Sequence, residues 1–227
     1  TVREGTIASN TIQAIQSPGG ANVLMVGHDS TNNKAGQFTI SDNLIGTQEN
    51  NVHLVNCRGV VLNGNVVYGA RDRNVVVQGS KNIILTGNSF DHNPDYNKGE
   101  LCTGFRFEDS EDCTFSAMNI QDDETEVSTG ERKALVEFHR CRRVNLSGCQ
   151  ILNGSPVGIH LEDVSDSIIA GCTVLEDREE KAMRAPVVWT GTGTGNLVAN
   201  NRLGKVDGES VRVGENVGVV LSSNVVL

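Results

Sequence analysis

Apolar residues recur along this chain in a fixed phrase. Residues 60–67 read VVLNGNVV and residues 83–90 read IILTGNSF: three apolar positions, a small residue, Gly, Asn, any residue, then an apolar one. Once the Asn position is allowed to vary, the phrase occurs nine times, at Asn10, Asn43, Asn65, Asn88, Met118, Cys149, Cys172, Asn201 and Asn224, with spacings of 22 to 33 residues. Three residues before these marks stand Ile7, Ile40, Leu62, Leu85, Phe115, Leu146, Ile169, Val198 and Leu221. Two residues after them stand Ile12, Ile45, Val67, Phe90, Ile120, Ile151, Val174, Leu203 and Val226. All eighteen are apolar in a chain that is 37% apolar, so the phrase is a true repeat.

Each repeat holds short Val- and Ile-rich segments of β type and none with helical periodicity. A unit this short cannot bury its own apolar face, so the repeats have to stack. Stacked coils pair as parallel strands roughly 4.8 Å apart, and each repeat position becomes a column. An inward Asn at a tight turn both donates and accepts, which predicts an amide ladder. Met118, Cys149 and Cys172 interrupt that column and predict a small apolar patch.

A further strand per coil follows from alternation in Val52-His53-Leu54, Val75-Val76-Val77, Phe105-Arg106-Phe107, Val136-Glu137-Phe138, Ile159-His160-Leu161, Val187-Val188-Trp189 and Val211-Arg212-Val213. The flanking apolar members face the core, Trp189 among them, and the middle members face solvent.

The 227 residues suffice for one large domain, and the repeat runs through all of 1–227. A net charge of −9 argues against nucleic acid as a partner. No apolar run is long enough to span a membrane. The N-terminus is not a signal peptide, although a mature secreted protein would lack one too.

The 22–23-residue coils with their Gly-Asn turns, LNGNVV and LTGNSF, resemble the right-handed parallel β-helix of the pectin-lyase-like superfamily over nearly the whole chain. The resemblance implies an all-β, single-stranded solenoid of about nine to ten coils with an Asn ladder, and an extracellular or periplasmic setting. It also implies a polysaccharide groove on the outer face of the strand that follows the insertion-bearing corner, in the central coils. The paired-Asp and Gly-His-Gly signatures of polygalacturonases and the Asp cluster of pectate lyases are missing, so the location carries over and the activity does not.

The loops agree with that location. The gap before the alternating strand is six or seven residues in four coils but fourteen after Phe90, fifteen after Ile120 and twelve after Val174. Insertions on one side of a repeat stack often mark its binding face. Along the column of strands that follow this corner, the outward positions of three central coils form a block of Arg106, Glu137 and His160 over Glu108, His139 and Glu162. Opposite charges in a checkerboard also support a sheet without any chemistry. As a catalytic centre, the block offers two chemistries. Glu137 with Glu108 or Glu162, roughly 8 Å apart by strand geometry, suits an inverting hydrolase with one carboxyl of raised pKa as proton donor. Alternatively, His139 or His160 removes a proton beside a uronate carboxylate that Arg106 neutralises, as in a lyase. Asp91, His92, Asp95 and Tyr96 in the first long loop are candidate substrate contacts.

No metal ligands are assigned among these residues. The loop QDDETEVSTGERK offers carboxylates to calcium but lacks an EF-hand pattern, and a solvated loop is the commoner meaning of such a run. Cys57 and Cys141 read as small inward fillers, and Cys149 and Cys172 on adjacent coils as buried free thiols. The chain starts and stops inside a coil, which predicts a segment of a longer protein, or ends capped by another domain or subunit. Three readings stay open: a carbohydrate-active enzyme, a glycan- or surface-binding module, and a structural spacer.

Overall fold

The computed structural model describes residues 3–27, 35–91, 104–122 and 132–227, with strands and no helix among them. Three parallel sheets run the length of the molecule, two of nine strands and one of eight. Each coil but the last contributes one strand to each sheet in turn, so every inner strand pairs with the strands one coil before and after it. This is the expected solenoid of nine coils.

The repeat sets the register. Ile40 pairs with Leu62 in the first sheet and Ile45 with Val67 in the second, so the apolar positions stack in columns. All of these are buried, and the core also takes the inward residues of the third sheet. In the central coils that core is aromatic. Phe105 stacks on Phe115 with centroids 5.5 Å apart, and Phe107 and Phe138 pack edge-on around them. Trp189 is fully buried, as alternation predicts.

The marked position turns the first sheet into the second. The residue before each mark has positive φ in all nine coils: Ser9, Asp42, Gly64, Gly87, Ala117, Gly148, Gly171, Asn200 and Ser223. That left-handed turn explains why Gly precedes Asn so often. The amides link as expected: Asn10 donates to Asn43 at 3.1 Å, Asn43 to Asn65 at 3.0 Å and Asn65 to Asn88 at 2.9 Å. Met118, Cys149 and Cys172 interrupt the ladder as a buried apolar patch, and Asn201 resumes it by donating to Asn224 at 2.9 Å. Cys57, Cys113, Cys141, Cys149 and Cys172 are buried free thiols. Burial pushes Cys113 up to about 12 and Cys141 up to about 11.

A second ladder was not foreseen. Asn22 donates to Asn51 and Asn51 to Asn74 at the corner from the second sheet to the third. It ends at the coil before the first long loop. The extra length of the first coil lies at yet another corner, between strands Ala21–Val26 and Ala35–Ser41, so insertions are not confined to one corner.

Candidate functional site

The third sheet brings together the predicted block. Strand Phe105–Glu108 pairs with Val136–His139, which pairs with Val157–Glu162. Arg106 faces Glu137 and Glu137 faces His160 in one row, and Glu108, His139 and Glu162 align in the next. The rows end at Val188 and Thr190 on one side and Val76 and Gln78 on the other.

The expectation that this row faces water needs correction. Arg106 keeps 33% of its side chain exposed, but Glu137, His139 and His160 are 1%, 4% and 6% exposed. They point away from the core and are buried from outside. The return segment at residues 132–135 lies over Glu137: the backbone N–H groups of Lys133 and Ala134 donate to its Oε1 at 3.0 and 3.2 Å. Arg73, also buried, donates to the same oxygen at 2.8 Å. His139 Nε2 meets the other oxygen at 3.1 Å.

Burial opposes ionisation of Glu137, but the His139 hydrogen bond, the Arg73 charge and the two backbone donors outweigh it and hold the group at about 2. These surroundings oppose the raised pKa expected of a proton donor at Glu137. Between Glu137 and Glu162, the gap in which an inverting hydrolase seats water is also filled. His139 lies between the carboxylates, with Nδ1 3.0 Å from Glu162 Oε2 and Nε2 on Glu137.

The remaining carboxylates are paired too. Arg106 meets Glu108 at 2.5 Å, and Gln78 donates to Glu108 at 2.9 Å. Lys133, half-exposed, meets Glu162 at 2.8 Å, and this bond lowers the Glu162 pKa despite partial burial. His160 differs. Its Nε2 lies 2.9 Å from Thr190 Oγ1, while its buried Nδ1 has no hydrogen-bond partner. Burial, then the neighbouring His139, depress its pKa and favour the neutral imidazole.

Asp91 is exposed at the start of the first long loop, away from these contacts. His92, Asp95, Tyr96 and most of QDDETEVSTGERK lie outside the described residues. Reading the sequence missed Arg73 and Lys133. Arg73 left a signal, since a charged residue at the start of a Val-rich buried strand needs a buried partner. Further along the same side, loop 176–184 borders an open cavity of about 1030 Å³ whose charged lining is Lys181, Arg184, Lys205 and Arg212 with Glu176, Asp177 and Asp207.

Comparison with known proteins agrees with the fold. The family model described as "Right handed beta helix region" matches residues 1–174. No curated protein matches the sequence. Among solved structures, the A-module of mannuronan C-5 epimerase AlgE4 from Azotobacter vinelandii superposes with a TM-score of 0.55 at 12% identity, over 84% of this chain and 54% of that one. The enzymatically active domain of tailspike protein 2 from bacteriophage CBA120 gives 0.55 at 10% identity, over 92% of this chain and 31% of that one. DFA-IIIase from Arthrobacter chlorophenolicus A6 without its lid, in complex with GF2, gives 0.59 at 14% identity, over 100% and 69%. The chain thus spans about half or less of the epimerase and tailspike structures it matches. At such identities the likeness concerns the fold alone.

Proposed function

Since this chain belongs to the right-handed β-helix family, whose scaffold leaves chemistry to the surface side chains, we propose that it acts on an acidic polysaccharide laid across the outer face of the third sheet, by β-elimination. One observation carries this reading. Every carboxylate of the block is occupied by donors, whereas His160 keeps a buried, unshared nitrogen beside them. A carboxyl-based hydrolase needs a protonated acid, which the lowered pKa values of Glu137 and Glu162 disfavour. An elimination needs a base and a cation, and this centre offers both.

In the proposed step, His160 Nδ1 takes the proton from the carbon beside the uronate carboxylate. The released electron pair forms a C=C bond, the glycosidic C–O bond breaks, and its oxygen takes a proton from solvent. Arg106 and Lys133 neutralise the carboxylate and so acidify that carbon. Glu137 is a positioning residue that orients His139. Lys181, Arg184, Lys205 and Arg212, set among Glu176, Asp177 and Asp207 around the 1030 Å³ cavity, offer contacts to further uronates. An extracellular or periplasmic setting, where a protein would meet such a polymer, goes with this reading. The neighbours support this reading through names that refer to a mannuronan epimerase and an active tailspike domain.

The test is incubation with a panel of uronate polymers, followed by ultraviolet absorbance of unsaturated ends. His160→Gln lowers turnover by about a hundredfold or more, and Glu137→Gln lowers it less. Full turnover by His160→Gln removes the base assignment. New reducing ends without absorbance mean hydrolysis. Retention of polymer without products means a binding module, which the burial of Glu137 and His139 would also suit.

A further inference from the structure

His139, His160 and Glu162 present one ligand atom each, all within 4.8 Å of one another. We infer that these three side chains form a binding site for a zinc-like divalent transition-metal ion on the outer face of the third sheet. No metal ligands were assigned here from the sequence, because His139, His160 and Glu162 carry no ligand spacing; the stacking of coils creates the cluster.

Four features support the site. First, both imidazoles are anchored through Nε2, His139 on Glu137 Oε2 at 3.1 Å and His160 on Thr190 Oγ1 at 2.9 Å. Such outer hydrogen bonds fix the ring and its tautomer in metal-ligating histidines, and they leave Nδ1 of each ring as the ligand atom. Second, His160 Nδ1 is a buried polar atom without a partner, on a residue 6% exposed. Leaving such a group unsatisfied costs free energy that a bound cation would offset.

Third, His139 Nδ1 lies 3.0 Å from Glu162 Oε2, so one ion can meet an imidazole nitrogen and a carboxylate oxygen together. Fourth, a cation already sits there: Lys133 Nζ lies 2.8 Å from the same Glu162 oxygen. Its side chain is 54% exposed, so it can withdraw, and Glu162 at 34% exposure gives the ion a route in.

The donor set selects the ion. Two imidazoles and a carboxylate suit zinc and its neighbours, whereas calcium seeks six to eight oxygens. Bonds of about 2.0–2.2 Å put tetrahedral ligand atoms roughly 3.4 Å apart. His139 Nδ1 and Glu162 Oε2 are near that spacing, and a side-chain shift of His160 completes it. Three protein ligands leave the fourth position to water. The inference does not depend on the polysaccharide reading, although the two share one lone pair: with metal on His160 Nδ1, the ion's bound water replaces the imidazole as the base.

The test uses the full chain after chelator treatment and no polymer. Co2+ is titrated in while visible absorption is followed, and Zn2+ is measured by calorimetry, with circular dichroism as a check on folding. One ion per chain is expected, with a tetrahedral Co2+ spectrum. His160→Gln and Glu162→Gln each weaken binding by about tenfold or more, and Thr190→Val weakens it by about tenfold. Lys133→Ala, which removes the competing cation and no ligand, tightens it. Unchanged affinity in the His160 and Glu162 variants, no stoichiometric binding by the parent chain, or a Lys133→Ala affinity that stays or falls would each overturn the site.

Discussion

At the scale of the residue, the turn before each ladder position decides much of what the sequence must contain. Nine residues occupy the left-handed region there, and four of them are Gly. Ala117, at φ 49°, is the member with neither a missing Cβ nor a polar side chain to bond locally. L-residues in this region cost roughly 1–2 kcal/mol, which Gly avoids at the expense of a more flexible unfolded chain. Ala117→Gly is therefore expected to stabilise the protein by about 1 kcal/mol, measured as a raised urea midpoint with an unchanged slope. Gly148→Ala, one coil later at φ 59°, should lower it by a similar amount. If the two substitutions shift the midpoint in the same direction, turn strain does not govern this column.

At the scale of the element, side chains knit the first sheet across its coils. Lys81 meets Glu111 at 2.7 Å and Asp112 at 3.1 Å, and Arg143 from the next coil holds both acids. The Arg143 hydrogen bond, opposed by partial burial and helped by Lys81, holds Asp112 at about 2 against an ordinary 3.8. A folded pKa below the unfolded one means stability that is present above about pH 4 and lost as pH falls through about 2. Thermal melts should therefore fall across that window in the parent and less steeply in Asp112→Asn, which also tolerates the positive φ at this position. Identical acid slopes would show that the network adds nothing. Elements of this kind were legible from the sequence because stacking and inward parity follow from a period, and eighteen apolar positions fixed it. The columns of Arg106, Glu137 and His160 were legible for the same reason. What covers them was not. The backbone donors at residues 133 and 134 and the guanidinium of Arg73 reach Glu137 from a loop and from a strand two coils away, and no period encodes such contacts.

At the scale of the whole molecule, the solenoid turns distant sequence into one strip. Outward residues of the third sheet run coil by coil from Arg106 past His160 to Arg212, and the cavity lined by Lys181, Arg184 and Lys205 continues on the same side. Coils repeat at about 4.8 Å, so the cavity lies about 10 Å from the proposed centre along the axis. Four cations and three acids, Glu176, Asp177 and Asp207, line it in a chain that carries −9 overall, so this region repels a polyanion less than the chain as a whole does. Lys205 is exposed and touches none of the reacting groups, so it can act only through remote binding. Lys205→Glu is accordingly expected to raise KM several-fold for long uronate polymers and to leave kcat within about twofold, the pattern of lost uniform binding. The effect should shrink for short oligomers, which do not reach the cavity, and fade as salt screens the charge. Steady-state kinetics on a length series at two ionic strengths reads all three trends. A fall in kcat with KM unchanged would put Lys205 in the reacting centre, and an effect independent of polymer length would mean that the substrate does not run along the solenoid axis.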